Sequence, residues 1–128
     1  MIQFDLVYPV KSAYSGPVMM VTVPGVEGMF GVMAGHAAMA AMLSFGVIEI
    51  YKDDPQAVTD RFFVVGGFCE VTPDRCVVMA DRVENLGALD KTDIEEEIER
   101  LRQIDDPTED ILHALKIAAA KRAALGTA

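Results

Sequence analysis

Apolar and polar positions alternate along the chain up to about residue 82, with the period of two that is typical of half-buried β-strands. Residues 2–8 alternate in this way, and Pro9 is expected to end or edge that strand. Residues 18–23 form a second apolar run. Residues 47–51 alternate again, which predicts a third strand with one buried face.

Two further segments, residues 61–65 (apolar from Phe62 onward) and residues 76–80, carry continuous apolar runs, which are typical of strands covered on both faces. Turn-forming pairs and triplets separate the apolar segments: Gly16-Pro17, Pro24-Gly25, Phe45-Gly46, Asp53-Asp54-Pro55, Gly66-Gly67 and Pro73-Asp74. Many short strands at close spacing, with no helical period between them, predict a β-sandwich or a β-barrel.

After about Asp90 the apolar spacing changes to that of a helix. Ile94, Ile98 and Leu101 fall on one face, and glutamates occupy much of the remaining surface. Asp90 is expected to cap this helix, which should end near Gln103.

A second helix start is predicted immediately downstream. Asp106 is expected to cap it, Pro107 to take the first helical position and Glu109 to reach back as in a capping box. Gly126 is a natural stop after a helix that ends at about Leu125. The predicted apolar face consists of Ile111, Leu112, Leu115, Ala118, Ala119 and Leu125.

The change of period predicts two parts, a β domain over residues 1–84 and a linker with an antiparallel α-helical hairpin over residues 85–128. The few sizeable apolar side chains of the hairpin cannot offset the entropy of ordering both helices. The hairpin is therefore expected to dock on the β domain or on a partner. A permanently docked cap and a part that moves about Gly87 are both compatible with the pattern.

Composition and charge narrow the class of partner. The chain has 128 residues, of which 52% are hydrophobic, enough for a packed core. Its apolar runs are shorter than a membrane-spanning helix needs, and residues 1–5 lack the features of a signal peptide. We therefore expect no membrane insertion. The net charge of -9 disfavours nucleic acid and anionic lipid and favours a basic partner protein.

Candidate catalytic groups are sparse. The two histidines, His36 and His113, lie in different halves, and no nucleotide-binding loop or hydrolase motif occurs. Cys69 and Cys76 are expected to be buried reduced thiols that lie across a hairpin. No histidine follows them at metal-ligand spacing, so we expect no metal site, no cofactor and no catalytic residue.

The most informative segment is glycine-rich and covers residues 25–46. Its glycines allow backbone shapes with positive φ and close approach of another backbone. The segment carries Met29, Phe30 and Met33. One interpretation is a tight β-hairpin whose apolar tips fold inward. The other is a contact surface for another protein, because Met and Phe are common at adaptable interfaces.

Several motifs in this region resemble those of the epsilon subunit of F-type ATP synthase, the counterpart of the mitochondrial delta subunit. The most specific has the form E-G-x-x-G-x-x-x-G-H-A. It is matched by Glu27, Gly28, Gly31, Gly35, His36 and Ala37. A Leu-x-x-Gly step at residues 43–46, a G-G-F-x-E-V pattern at residues 66–71 and the pair Ala80-Asp81 follow in the order of that family.

The resemblance implies a β-sandwich of about ten strands followed by a helical hairpin. It also implies a non-catalytic subunit of the rotor's central stalk, which binds the gamma subunit and the c ring and couples proton flow to ATP synthesis. His36 and Ala41 take the positions of gamma contacts. The positions of the c-ring contact loop are Gly28, Met29, Phe30, Gly31 and Met33.

Further expectations concern location and the hairpin. The resemblance, together with the lack of a transit peptide, implies a peripheral protein on the cytoplasmic face of the bacterial inner membrane. In bacterial members the hairpin can open, contact the alpha and beta subunits and inhibit ATP hydrolysis. The chain departs from the family at Ala34 and Ala38, where proline is frequent, and at Met29, where a polar residue is frequent.

Some members bind ATP through a motif of the form I/L-D-x-x-R-A. The first two positions of this motif are matched by Leu89 and Asp90, and Glu84 precedes them suitably. The arginine position, however, holds Asp93, and the alanine position holds Ile94. A carboxylate at Asp93 would repel phosphate, so we expect weak or no ATP binding and doubt strong self-inhibition.

Two alternative functions remain at this stage. A stand-alone β-sandwich adaptor that binds peptides along a groove would remain monomeric in the presence of its host's gamma subunit. A small enzyme would need a pocket lined by groups with shifted pKa values, and the sequence offers no candidate pair for it.

Overall fold

A computed structural model describes residues 1–126, which divide into two compact units, Met1–Asn85 and a helical unit that begins at Leu86. The described residues contain eight strands, a 3₁₀ turn at Leu86–Ala88 and two helices, α1 (Lys91–Arg102) and α2 (Glu109–Gly126). The strands are β1 (Ile2–Tyr8), β2 (Lys11–Val18), β3 (Met20–Gly25), β4 (Gly28–Val32), β5 (Met39–Met42), β6 (Phe45–Tyr51), β7 (Asp60–Thr72) and β8 (Arg75–Asn85).

The strands form one continuous sheet in the order β2-β1-β8-β7-β6-β3-β4, with β5 added on β7. The sheet folds over into two layers, because the two longest strands contribute to both. The first layer contains β2, β1, the start of β8, the end of β7 and β5. The second contains β4, β3, β6, the start of β7 and the end of β8.

The fold between the layers occurs at Gly66 and Gly67 in β7. Both residues have positive φ, +66° and +118°, which glycine adopts at little cost. Before this point β7 pairs with β6, and after it β7 pairs with β5 in the same register. The Leu43 N–H donates to the Gly67 carbonyl (3.0 Å), so the neighbouring chain bends with β7. A strand that passes between layers through such a bend is a known device of β-sandwiches.

One hydrophobic core lies between the layers and receives buried or partly buried side chains from every strand except β5. Its largest fully buried members on β1 and β6 are Ile2, Phe4, Leu6, Ile48 and Ile50. Cys69 and Cys76 are free thiols buried in the same core, on neighbouring strands of a hairpin, with Sγ atoms 3.8 Å apart. The prediction of buried reduced cysteines across a hairpin is confirmed.

The predicted fold class, a β-sandwich followed by a helical hairpin, is confirmed. About ten strands were expected, whereas residues 1–126 contain eight; β7 and β8 each serve both layers, so counting their two halves separately gives the expected number. The strand at residues 2–8 and the alternation of Ile48 and Ile50 with Glu49 are confirmed as well.

Other boundaries were wrong. Gly16-Pro17 lies inside β2, which the sequence did not reveal, and Pro17 is tolerated because β2 is an edge strand. Residues 18–23 belong to two strands rather than one. Phe45-Gly46 begins β6, and Gly66-Gly67 bends β7 instead of ending it.

The two continuous apolar runs have different surroundings. Phe62, Phe63 and Val64 are all buried, so the expectation of a strand covered on both faces is confirmed there. Residues 76–80 are covered on one face only: Cys76, Val78 and Ala80 point into the core, Val77 is half-buried and Met79 is exposed. The prediction was wrong for this second run, because nothing in the β unit packs on its outer face.

In the helical unit, α1 follows the prediction. The Asp90 carboxylate accepts a hydrogen bond from the Thr92 N–H (2.8 Å), and Gln103 is the C-cap. Ile94, Ile98 and Ala118 form a small core between α1 and α2, with Leu89, Leu115 and Leu125 packed around it.

The predicted start of α2 was wrong. Asp106 has a φ of 49°, in the left-handed region, and Thr108 caps the helix by accepting from the Ile111 N–H (3.3 Å). Leu112 and Ala119, predicted on the apolar face, are exposed, whereas Ile117 and Ala124 are buried. The predicted stop at Gly126 lies at the limit of the described residues, whose helices are all too short or too polar to cross a membrane.

We predict that Gly67→Ala destabilises the β unit strongly. A Cβ atom there would lie within 2.7 Å of the Ala80 Cα and closer still to the Met79 carbonyl oxygen, on a backbone with φ of +118°. We expect a loss of at least about 2 kcal/mol in the free energy of unfolding, measured by urea denaturation. The control is Gly31→Ala, where the nearest atom would be 3.8 Å away. Equal stability of the two variants would contradict the role of the bend.

Candidate functional site

The glycine-rich segment forms a tight hairpin at one end of the second layer. β3 and β4 pair as far as Gly25 and Gly28, so Val26 and Glu27 alone make the turn. Gly28 has a φ of +134°, and a Cβ on Gly25 would lie 3.0 Å from the Phe30 ring. Glycine is therefore required on both sides of the turn, by conformation at Gly28 and by close packing at Gly25.

The hairpin displays methionine side chains rather than folding all of its apolar residues inward. Met29 is 57% exposed and Met33 is 44% exposed. Phe30 is less available than predicted: it lies opposite Val23, is half-buried and packs on the core. Gly28 and Gly31 are exposed and leave the backbone accessible to a neighbour.

The loop between β4 and β5 is held by backbone hydrogen bonds. Gly35, with a φ of +86°, donates its N–H to the Pro73 carbonyl (2.7 Å), and His36 donates its N–H to the Met33 carbonyl (3.1 Å). The His36 Nδ1 lies 2.7 Å from the Ala37 carbonyl oxygen and, since that oxygen can only accept, must carry the proton. The half-buried imidazole is thereby fixed in one orientation.

A groove separates the β3–β4 hairpin from β5. It has a volume of about 310 Å³ and is lined by the hairpin residues from Gly25 to Gly28, by Phe30, and by the whole of β5 from Met39 to Met42. Two predicted c-ring contacts, Gly28 and Phe30, therefore share one groove with the predicted gamma contact Ala41. Met29, Gly31, Met33 and His36 do not line it.

The sequence did not reveal that β5 forms one side of the groove. Met39 and Met42 are exposed, and the Val26 N–H donates to the Met42 carbonyl (3.0 Å), which ties the hairpin turn to this strand. The available signal was the pair of methionines in an alanine-rich segment, Met39-Ala40-Ala41-Met42, which lacks a strong strand pattern.

The predicted nucleotide-site residues have structural roles. Glu84 lies on β8, with a carboxylate oxygen 3.8 Å from Arg82 Nη2. Leu89 packs against the core of the helical unit, and the Asp90 carboxylate caps α1. Asp93 lies exposed in the first turn of α1, and Ile94 fills the space against Ala118 that an alanine would leave empty.

Among residues 1–126, none of the titratable groups with a shifted pKa lines the groove beside the hairpin. The hydrogen bond from Ser15 (2.6 Å), supported by Arg75, lowers the pKa of Asp5. Burial, with the charges of Asp60 and Asp53, raises the pKa of Tyr14. The hydrogen bond to Cys69, together with burial, raises the pKa of Cys76. Among residues 1–126 no three His, Cys, Asp or Glu side chains are placed to hold a metal ion.

Comparison with known proteins identifies the family. Residues 1–86 match the family described as ATP synthase, Delta/Epsilon chain, beta-sandwich domain. The ATP synthase epsilon chain of Rhodospirillum centenum is 46% identical over 114 residues, which cover 86% of this chain and 78% of that one. The chain belongs to the ATP synthase delta/epsilon family. The epsilon chain of Granulibacter bethesdensis, another relative, is 40% identical over 94 residues, 73% of this chain and 68% of that one.

Comparison with solved structures shows the same fold at low sequence identity. A chain of the Euglena gracilis mitochondrial ATP synthase, solved as its OSCP/F1/c-ring assembly, superposes with a TM-score of 0.80 at 21% identity. The match covers 99% of this chain and 81% of that chain. The sandwich with its following helices is thus retained where little of the sequence is.

We predict that the purified chain does not bind ATP at micromolar concentration. Asp93 places a carboxylate where the nucleotide-binding members of the family have an arginine, and Asp90 already serves as a helix cap. Isothermal titration with ATP and Mg²⁺ measures this directly. Micromolar binding that Asp90→Ala abolishes would contradict the prediction. Asp90→Asn is the matched control, because asparagine still caps the helix without the charge.

Proposed function

We propose that this chain is a non-catalytic subunit of the central stalk of an F-type ATP synthase, which binds the gamma subunit and the c ring and couples proton flow to ATP synthesis. The family supports this role, and one observation carries it: an exposed apolar hairpin, built on glycines and tied to β5, projects from one end of a rigid sandwich. Exposed methionines of this kind adapt to the surface of a partner protein.

The hairpin is the contact with the c ring in this proposal. Met29 and Met33 present apolar side chains, Phe30 supports them from the core, and Gly28 and Gly31 allow close approach of the partner. Met29 stands where many members of the family have a polar residue, so the contact is more apolar here. His36, in the loop between β4 and β5, and Ala41, on β5, are the gamma contacts in this proposal.

The protein is peripheral in this proposal. It reaches the membrane through the c ring, on the cytoplasmic face of the bacterial inner membrane. In the helical unit, Asp93 stands at the arginine position of the nucleotide motif, and the Asp90 carboxylate caps α1. We therefore propose that coupling depends on the β unit and that ATP does not regulate the helical unit. Contact of the helical unit with the alpha and beta subunits does not depend on nucleotide in this proposal.

We predict that Met29→Asp weakens coupling. A buried, unpaired carboxylate in an apolar contact costs several kcal/mol, so we expect at least a tenfold loss of c-ring affinity, or about 1.4 kcal/mol. The assay is ATP-driven proton pumping by membrane vesicles depleted of this subunit and reconstituted with the variant.

The control for this experiment is Val58→Asp, which changes an exposed apolar residue in the loop between β6 and β7. Its pumping should equal that of the wild-type chain. The proposal fails if Met29→Asp restores pumping as well as the wild-type chain does, or if the wild-type chain restores none.

A further inference from the structure

The two cysteines form a close pair inside the core of the β unit. Cys69 lies on β7 opposite Val78, and Cys76 lies on β8 opposite Val71, so the cysteines are diagonal neighbours on the same face of the hairpin. Both side chains are fully buried, and their Sγ atoms are 3.8 Å apart. At this separation the two sulfur atoms are in direct contact.

The pair has the chemistry of a dithiol rather than that of a metal site. In the described part of the chain, residues 1–126, no group of three His, Cys, Asp or Glu side chains can hold a metal ion. The sulfur atoms of a disulfide are about 2.05 Å apart, so the two Sγ atoms need to approach by only about 1.7 Å more. Where a compartment keeps thiols reduced, disulfides are usually transient and redox-sensing. A reversible disulfide is therefore the covalent chemistry open to this pair.

The two thiols are not equivalent. The hydrogen bond with Cys76 lowers the pKa of Cys69, whereas the same contact, together with burial, raises the pKa of Cys76. The thiolate, and not the thiol, is the nucleophile that attacks an oxidant. Cys69 is therefore the sulfur that reacts first, and Cys76 keeps its proton until the second step.

The cover over the pair is thin on two sides. Cys76 directly follows the tip of the hairpin, where residues 72–75 are all exposed. Cys69 pairs with Ala41 of β5, a strand of four residues whose other three side chains are exposed. Segments with few buried contacts open at a low cost in free energy. A small oxidant therefore reaches the sulfur atoms when the hairpin tip or β5 opens locally.

We propose that Cys69 and Cys76 form a reversible intramolecular disulfide when the chain meets hydrogen peroxide. The Cys69 thiolate attacks one peroxide oxygen, the O–O bond breaks, and Cys69 becomes a sulfenic acid. The hydroxide that leaves takes up the proton of the Cys69 thiol and becomes water. The Cys76 sulfur then attacks the sulfenic sulfur, and its proton leaves with the hydroxyl group as a second water. Two thiols are oxidised to one disulfide, and the peroxide is reduced to two waters.

Closure of this bond changes the structure beside the groove. The sulfur atoms lie in a packed core and are diagonal rather than directly opposite, so their further approach requires β7 to shift toward β8. At Cys69, β5 lies on the other side of β7, where Ala41 both pairs with Cys69 and lines the groove. We therefore expect the disulfide to loosen β5.

The test exposes the folded full-length chain to hydrogen peroxide, blocks the remaining thiols under denaturing conditions and maps both cysteines by mass spectrometry. Trypsin cleaves after Arg75, so Cys69 and Cys76 fall on separate peptides, residues 62–75 and 76–82. Without reductant, we expect these peptides to be joined, with loss of both free thiols and a chain that stays monomeric on a non-reducing gel. Dithiothreitol should separate the peptides and restore both thiols.

Cys69→Ala and Cys76→Ala are the matched controls, because each leaves a single thiol. Neither should give joined peptides within one chain. The mapping of the wild-type chain remains decisive if either variant fails to fold.

The shift of β5 is measured by hydrogen exchange at residues 39–42. We expect exchange there to be at least about threefold faster in the oxidised chain, because opening costs less free energy. The reference is the same peroxide-treated chain after dithiothreitol, since this reductant reverses the disulfide but leaves any sulfoxide at Met39 and Met42 in place.

Four results would overturn the inference in whole or in part. Sulfinic acid at one cysteine without joined peptides would show that the two sulfur atoms cannot close the bond. Thiols that stay free in the folded chain but react in urea would show that the pair serves core packing alone. Joined peptides found only in covalent dimers would make the bond intermolecular. Equal exchange at residues 39–42 before and after dithiothreitol would contradict the expected shift of β5.

Discussion

The close approach of Gly67 to the β8 backbone is the contact on which the rest of the β unit depends. No side chain fits between Gly67 and the Met79–Ala80 peptide, and Gly66 and Gly67 both take backbone angles that other residues avoid. The bend turns β7 from one layer into the other and carries β5 with it. A single continuous sheet thereby encloses its own core, and the outer face of its first layer remains available for contacts.

The functional surfaces follow from that bend. It brings β5 next to the β3–β4 hairpin, and the Val26–Met42 hydrogen bond then forms the groove between them. It also aligns Phe68 with Met79 and Met42 on one face. Met29 is exposed on the hairpin of the second layer and Met79 on the outer face of the first, so exposed apolar side chains lie on two separate parts of the β unit.

Local chemistry in the sequence predicted part of this structure well. The alternation in β1 and the Asp90 cap of α1 depend on neighbours in the chain, and both are found as expected. Gly66-Gly67 was taken for a turn because paired glycines usually mark one; only the contact with β8 shows that they bend a strand. Asp106 was taken for a cap, but its left-handed backbone leaves that role to Thr108.

The candidate sites divide in the same way. The spacing of Glu27, Gly28, Gly31, Gly35 and His36 was sufficient to identify the family, while the contact surface expected at the hairpin stays a prediction. The alignment of Phe68 with Met79 on the outer face of the first layer could not be predicted, because it depends on the register in which β5, β7, β8 and β1 pair. The only indication in the sequence was the segment 76–80, which has more apolar residues than a strand with one buried face needs.

The central claim is that the β unit couples rotation and that the helical unit is not needed for it. The most direct measurement is ATP-driven proton pumping by depleted membrane vesicles reconstituted with a chain that ends at Gly87, compared with the full-length chain. The account predicts equal pumping and little change in the rate of ATP hydrolysis. Loss of pumping while the truncated chain remains bound would contradict it, and a large rise in hydrolysis would show that the hairpin inhibits the enzyme.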